Sequence, residues 1–213
     1  MKITLDRILP IPLASIKHSK ESIWGNHVEL TKGKRILLNA SSGKGKTTFT
    51  TTIFGLRRDY KGVLSYDGAD IRELGPDHWA DIRKTKISVV FQDLQLFQKL
   101  TVRENIMLKN SLTDIFSESQ IKEFLQQLEI DNKWEQHCGL LSMGQQQRVA
   151  IIRAMTQPFK WLIMDEPFSH LDNENANKCM HMIEARTQEQ DAGFILTSLG
   201  DMHGTNYDQE LRL

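Results

Sequence analysis

Between residues 40 and 48 the chain reads Ala40-Ser41-Ser42-Gly43-Lys44-Gly45-Lys46-Thr47-Thr48. Small residues and glycines let a backbone approach a bulky anion and turn several N–H groups towards it. A lysine closing such a loop can reach the β- and γ-phosphates of a nucleotide, and the hydroxyl after it can ligate Mg²⁺. The spacing meets GxxxxGK[ST] except at its first position, where Ala40 stands for glycine. A second apt group closes the apolar run Trp161-Leu162-Ile163-Met164, which ends in Asp165-Glu166-Pro167. Carboxylates at the carboxyl end of a buried strand lie where open α/β sheets bind ligands. Asp165 is suited to the shell of a metal, and Glu166 to polarising an attacking water as general base. Taken singly, each pattern also describes something plainer: a flexible lysine-containing loop, or an acidic turn or helix cap.

The elements that must position these residues are visible in the hydrophobic pattern. Arg35-Ile36-Leu37-Leu38-Asn39 is a short apolar run leading into the glycine loop, and Thr47 to Phe54 reads as the helix after it: strand, loop, helix. Ile3 and Leu5, and then Val28 and Leu30, alternate with polar neighbours as half-buried strands do. Asp67-Gly68 between Gly62-Val63-Leu64-Ser65-Tyr66 and Ala69-Asp70-Ile71 predicts a hairpin. Ile87 to Phe91 predicts a buried strand. From about 93 to 140 the texture turns helical. Thr101 with Glu104, and Ser117 with Gln120, form capping boxes, and Ile121, Phe124, Leu125 and Leu128 trace an amphipathic face. Then strand and helix alternate again. Ser142 to Met155 and Asn173 to Gln188 are the helices, Trp161 to Met164 and Phe194 to Thr197 the strands, and Glu210 to Leu213 a last edge strand. Such alternation predicts a parallel, covered sheet.

Composition narrows the classes. The chain has 213 residues, with 27 Lys+Arg against 27 Asp+Glu, so a general basic footprint for nucleic acid is absent and no nucleic-acid partner is expected. Cys138 and Cys179 fall in no CxxC or Cys/His cluster, which argues against structural zinc and a disulfide framework and suits a reducing cytosol. No apolar run approaches the roughly 18 residues of a membrane helix. Met1 to Ser15 carries Asp6, Arg7, Pro10 and Pro12, a poor signal-peptide core. The expected location is therefore cytoplasmic, with any membrane role exercised through a partner.

A third motif, Leu141-Ser142-Met143-Gly144-Gln145-Gln146-Gln147-Arg148-Val149-Ala150, is far more specific. With it the sequence resembles the ATP-binding cassette (ABC) ATPases, whose signature reads LSGGQ and commonly runs on as QQRVA. The resemblance extends over essentially the whole chain. Phe91-Gln92-Asp93 is similar to the family's Q-loop and Leu94 to Asn105 to the stretch after it. Ser169-His170-Leu171-Asp172 is similar to the D-loop, and Gly62 to Ile71 to the hairpin after the phosphate loop. It implies an α/β fold: a P-loop NTPase core with a mostly parallel sheet, a small antiparallel β-subdomain and an inserted α-helical subdomain, forming one domain over residues 1–213. It implies ATP and Mg²⁺ as cofactors. Ser41, Ser42, Gly43, Lys44, Gly45, Lys46, Thr47 and Thr48 would cradle the chain's own nucleotide, with Mg²⁺ held by Thr47, Gln92 and Asp165. Lys46, Gln92, Glu166 and Ser198 would form the catalytic set. Ser142, Gly144, Gln145 and Asp172 would face a nucleotide held by a second cassette, bound head-to-tail as a homo- or heterodimer. Integral membrane subunits on other chains, docked by a coupling helix beside the Q-loop, would hold the pair at the inner face of the membrane. The texture of Val90 to Asp93 and of Leu100 to Asn105 leans towards the subgroup serving lipoprotein release, macrolide export and cell-division complexes.

Three positions depart from the family pattern. Ala40 adds a methyl at a tight turn. Met143 puts a bulky side chain where the dimer closes over phosphate. Ser198 stands where the last strand, Ile195-Leu196-Thr197, leads in the family to a histidine on the γ-phosphate; His203 is near but out of register. Serine can donate a hydrogen bond but is shorter than histidine and never cationic. The expectation is retained ATP binding with slow hydrolysis. That suits a transporter's nucleotide-binding subunit, an ATP-dependent regulatory switch with little turnover, or the imperfect half of a heterodimer. The family also stacks an aromatic residue on adenine. Trp24, the only aromatic residue ahead of Phe49, reads as core, which leaves the adenine contact unassigned.

Overall fold

The computed structural model describes residues 1–39, 41, 43–198 and 204–213; Ala40, Ser42 and His203, all named above, lie outside them. In chain order the elements are β1 (Ile3–Pro10), β2 (His27–Leu30), β3 (Arg35–Asn39), α1 (Lys46–Ile53), β4 (Tyr60–Tyr66), β5 (Ala69–Asp70), α2 (Pro76–Thr85) and β6 (Ile87–Val90). There follow α3 (Val102–Asn110), α4 (Glu118–Gln127), α5 (Met143–Met155), β7 (Trp161–Asp165), α6 (Asn173–Glu189), β8 (Gly193–Ser198) and β9 (Gln209–Arg212).

The strands form two sheets. Five run parallel in the order β6-β7-β8-β3-β9, and four form a sheet in the order β2-β1-β4-β5 with antiparallel neighbours. β7 and β8 are buried along their whole lengths because elements pack on both faces of the parallel sheet. The side chains of β3, β7 and β8 divide by parity. Leu37, Leu162, Met164, Phe194 and Leu196 join the helices in one core. Ile36, Leu38, Trp161, Ile163 and Ile195 join the antiparallel sheet and α1 in the other. A slip of one residue in either strand would exchange its two faces, so both cores together fix the register.

That register positions the chemistry. Asp165 pairs with Thr197 across β7 and β8, and Leu38 and Asn39 pair with Thr197 and Ser198 across β3 and β8. The glycine loop, the two acids and Ser198 therefore come to one edge of the sheet, its carboxyl end.

The predicted hairpin is present: Asp67 and Gly68 both take positive φ, 49° and 91°, between β4 and β5, as a two-residue turn of this kind requires. Both capping boxes form, at Thr101/Glu104 and Ser117/Gln120. Between 93 and 140 the described elements are helices α3 and α4 and two single 3-10 turns. The predicted edge strand is β9, parallel to β3. α2 was not expected. It starts with Pro76 at its first turn and buries only Trp79, so no periodic apolar stripe betrays it.

Candidate functional site

The glycine loop joins β3 to α1. Gly45, the residue before α1, has φ of 104° and lies against Leu13; a Cβ at Gly45 would stand 2.7 Å from Leu13 Cδ1. Both the left-handed backbone and the close approach demand glycine here. Trp24 supports the loop from behind. It is buried, packs edge-on against Phe49, and donates from Nε1 to the Lys44 carbonyl at 3.4 Å. It is core, as its sequence context suggested. Leu13, by contrast, carried no sequence signal; it adjoins the loop only because the turn after β1 folds over it.

Lys46, Thr47, Gln92, Asp165 and Glu166 meet beside this loop. A cavity of about 230 Å³ is lined by Leu13, Gly43, Gly45, Lys46, Thr47, Thr48, Gln92 and Glu166. Lys46, 6% exposed, forms an ion pair with Glu166 at 3.0 Å. The Thr47 hydroxyl donates to Gln92 Oε1 at 3.2 Å. Asp165, 1% exposed, ends β7 next to Glu166. Its Oδ1 accepts from the Thr197 hydroxyl at 2.7 Å, and the same hydroxyl accepts from the Glu166 N–H at 3.2 Å. Thr197 thus sets the angle between the two acids, a role sequence reading missed because the residue looked like the end of an apolar strand. Glu166 itself has φ of 49°, which turns its side chain back towards Lys46.

Burial pushes the Asp165 carboxyl above the ordinary range; the Thr197 and Thr47 hydroxyls oppose this, Glu166 adds to it, and Lys46 opposes it. Asp165 Oδ2 is buried and has no hydrogen-bond partner among the described residues. An orphaned carboxylate oxygen close to the Thr47 hydroxyl, with the Gln92 carbonyl on that hydroxyl, is a set of hard oxygen donors that fits a divalent cation of the Mg²⁺ class. Ser198 ends β8 opposite Asn39 and is buried.

The signature residues stand apart. None of Ser142, Gly144 or Gln145 lines the cavity beside the glycine loop. Ser142 caps α5 in a third capping box: its Oγ accepts from the Gln145 N–H at 3.3 Å, and Gln145 Oε1 accepts from the Ser142 N–H at 3.0 Å. Met143 is 47% exposed. A Cβ on Gly144 would come 2.8 Å from the His170 carbonyl, so α5 and the Ser169–Asp172 loop touch through glycine. Gln147, 1% exposed, ties the same two segments: its Nε2 donates to Ser169 Oγ at 2.9 Å and its Oε1 accepts from the His170 N–H at 3.0 Å. Asp172 caps α6, accepting from the Asn175 N–H at 2.8 Å, and that bond holds its carboxyl below the usual range.

A family model for the ABC transporter family matches residues 25–169. Among curated proteins, the chain is 30% identical over 179 residues to the macrolide export ATP-binding/permease protein of Syntrophobacter fumaroxidans, covering 82% of this chain and 25% of that one. It is 29% identical over 174 residues to the lipoprotein-releasing system ATP-binding protein of Buchnera aphidicola, covering 80% and 76%. Both fall in the subgroup towards which the sequence leans. The chain spans about half the length of several other curated relatives, 50% and 56%. The fold matches the dimeric structure of a bacterial ABC transporter cassette with a TM-score of 0.82 at 23% identity, over 99% of this chain and 94% of that one. A structure of the same cassette, bound to ADP and Pi in a post-hydrolysis dimer, matches at 0.77 and 25% identity, over 94% and 88%. No helix among the described residues is long and apolar enough to cross a membrane.

Proposed function

The chain belongs to the ABC transporter family, and from that membership we propose that residues 1–213 act as one ATP-binding cassette, with the helices between 93 and 140 as its helical subdomain. It binds MgATP and hydrolyses it slowly in a head-to-tail dimer coupled to a membrane transporter. The observation that supports this best is the meeting of Lys46, Thr47, Gln92, Asp165 and Glu166 at one sheet edge, while Ser142 and Gly144 stand on a separate face beside the D-loop.

In this reading the Lys46–Glu166 pair is the resting contact. Lys46 turns to the β- and γ-phosphates, which places its charge on the group that gains negative charge as the terminal bond breaks. Glu166, relieved of Lys46, accepts the proton of the attacking water, and Gln92 orients that water. Thr47, Gln92 and Asp165 would hold Mg²⁺, which supplies neutralisation of phosphate charge. The backbone N–H groups at the start of α1, with Ser41, Gly43 and Thr48, cradle the phosphates. The second cassette closes the site with its own Ser142, Gly144, Gln145 and Asp172. Membrane-spanning subunits on other chains hold the pair at the cytoplasmic face.

Ser198 favours a second reading, a regulatory switch that binds ATP and turns over little, because a short neutral hydroxyl replaces an imidazole at the γ-phosphate. The test has two parts. Mass is measured by light scattering for Glu166→Gln with and without MgATP, and turnover is compared for the native chain and Ser198→His. We expect the mass to double with ATP and the histidine variant to turn over several-fold faster. A variant that stays monomeric at saturating ATP removes the homodimer in favour of the imperfect half of a heterodimer. Equal turnover removes the slow-hydrolysis reading.

A further inference from the structure

The loop from Ser169 to Asp172 carries an exposed imidazole, His170, which does not line the cavity that holds Lys46 and Glu166. Its backbone stands against the start of α5: a Cβ on Gly144 would come 2.8 Å from the His170 carbonyl. The ring is held by a short chain of hydrogen bonds that begins at the buried Gln147. Gln147 Oε1 lies 3.0 Å from the His170 N–H, which can only donate, so the amide nitrogen faces the other way. That nitrogen donates to Ser169 Oγ at 2.9 Å. Ser169 Oγ keeps its own proton to donate, and His170 Nδ1 lies 3.0 Å from it. With Nδ1 accepting, the neutral ring carries its proton on Nε2. In the charged ring Nε2 carries a proton as well. Either way the outer nitrogen is a donor, and among the described residues nothing accepts from it.

A terminal phosphate gains negative charge as it is cleaved and is stabilised by donors already aimed at it. At the end of β8 the chain offers the buried Ser198, whose hydroxyl is shorter than an imidazole and never cationic. Two features suit His170 to the same task. Its ring is oriented before any ligand arrives, so little freedom is lost on binding. It also adjoins Gly144 and the α5 start, the face that in the proposed dimer closes over the second cassette's nucleotide.

We propose that His170 acts in trans, between two copies of this chain. In the ATP-closed pair, His170 Nε2 of one copy donates a hydrogen bond to the terminal phosphate held by the other, where Ser198 supplies no imidazole. The ring forms no covalent bond and gives up no proton; it stabilises charge on the phosphate oxygens while water attacks. Gln147 and Ser169 are the positioning residues that set the ring. This role rests on the head-to-tail dimer proposed above and adds to it the partner side chain that takes up the developing charge.

Two defective chains test it. His170→Ala should lower turnover by roughly 10²-fold, the share of one preorganised donor. His170→Asn should fall as far, since its amide can meet Ser169 but reaches no further than the δ position. Glu166→Gln is defective at the base of its own site. Mixed in equal amounts, the alanine and glutamine variants make half of the dimers mixed. Each mixed dimer has one site with Glu166 from one chain and His170 from the other, so turnover should rise to about a quarter of the native value. If the alanine variant is unfolded by circular dichroism, His170→Asn takes its place in the mixture. A mixture no faster than the histidine variant alone, or native turnover in His170→Asn, would overturn the role in trans. A second measurement needs no turnover: modification of His170 by diethyl pyrocarbonate, read by peptide mass spectrometry. MgATP should slow it several-fold in the Glu166→Gln chain. An unchanged rate in a chain whose mass has doubled would overturn the proposal and leave the dimer standing. If the mass does not double with MgATP, the homodimer and the role of His170 fail together.

Discussion

Two helix starts in this molecule carry phosphate-binding signatures, and they are built differently. α1 begins after Gly45, whose left-handed backbone provides no side-chain cap. α5 begins after Ser142 with a closed capping box. A helix start leaves its first N–H groups without partners inside the helix. At α1 those groups face the cavity that holds Lys46, Thr47 and Gln92, and the loop is stiffened from outside by Leu13 and Trp24. At α5 the chain's own side chains take up two donors, a cap worth about 1 kcal/mol. One terminus is built to be completed by a ligand. The other is complete in the free chain and presents Met143, Gly144 and the D-loop to whatever closes over it. The proposed head-to-tail dimer, in which each cassette supplies half of each of two sites, would need both kinds.

The largest expected effect tests the first half at its acid. Glu166→Gln should lower turnover about 10²–10³-fold, the share a positioned general base contributes, with ATP affinity kept within two-fold. Steady-state phosphate release and titration with a fluorescent ATP analogue read the two quantities. Next, Lys46→Ala should weaken MgATP binding by roughly 100-fold in the same titration, since a charge-assisted contact to phosphate is lost. Ser142→Ala should leave that affinity within two-fold, because Ser142 does not line the cavity beside the glycine loop and in the proposed dimer would serve the other half. If the two variants weaken binding alike, the division between the halves is wrong.

A smaller effect addresses the second half. Gly144→Ala drives a methyl against the His170 carbonyl, so the D-loop must shift. ATP-driven pairing of a Glu166→Gln background, followed by light scattering, should fall by about ten-fold, while binding of the fluorescent analogue to the single chain stays unchanged. Smallest is Asp165→Asn. Burial holds this carboxyl above its ordinary range, so the folded chain binds its proton more tightly than the unfolded chain does. The contribution is favourable below the unfolded-state value and is lost as pH rises through the folded-state value. The neutral amide avoids that loss. Asp165→Asn should therefore raise Tm without nucleotide, and raise it less at pH 4 than at pH 7. Thermal melts at both pH values check it, and the same variant should lose the Mg²⁺-dependent part of ATP binding.

The residues that carry motifs were legible because each needs a particular type at a particular spacing. Glycines and a lysine belong before a helix that meets phosphate. A pair of acids belongs at a strand end, and a Ser-x-x-Gln at a helix start. Strands β3, β7 and β8 were legible because both faces are buried, and a short continuous apolar run between turn residues suits a strand covered on both sides. α2 was not, because a helix that buries one tryptophan leaves no periodic trace. Leu13, Thr197 and Gln147 escaped for a different reason. Each acts on a segment far away in sequence, and an aliphatic residue, a strand-end threonine or a glutamine in a helix shows nothing of its partner. Ser142 and Gln145 were expected to face phosphate, and the box they close with each other was not foreseen.

What the sequence by itself determined is therefore the chemistry available: a phosphate loop, two acids, a signature helix, a neutral serine at the last strand, and a family in which those parts work together. Tertiary structure decided which parts belong to one site. The pairing of β7 with β8 brought Thr197 onto Asp165, and the turn of Glu166 brought its carboxylate to Lys46. Spacing along a chain constrains neighbours within a turn or a strand, where bond geometry sets the distance. Contacts between distant segments are set by how two cores fill, and that is a property of the folded whole.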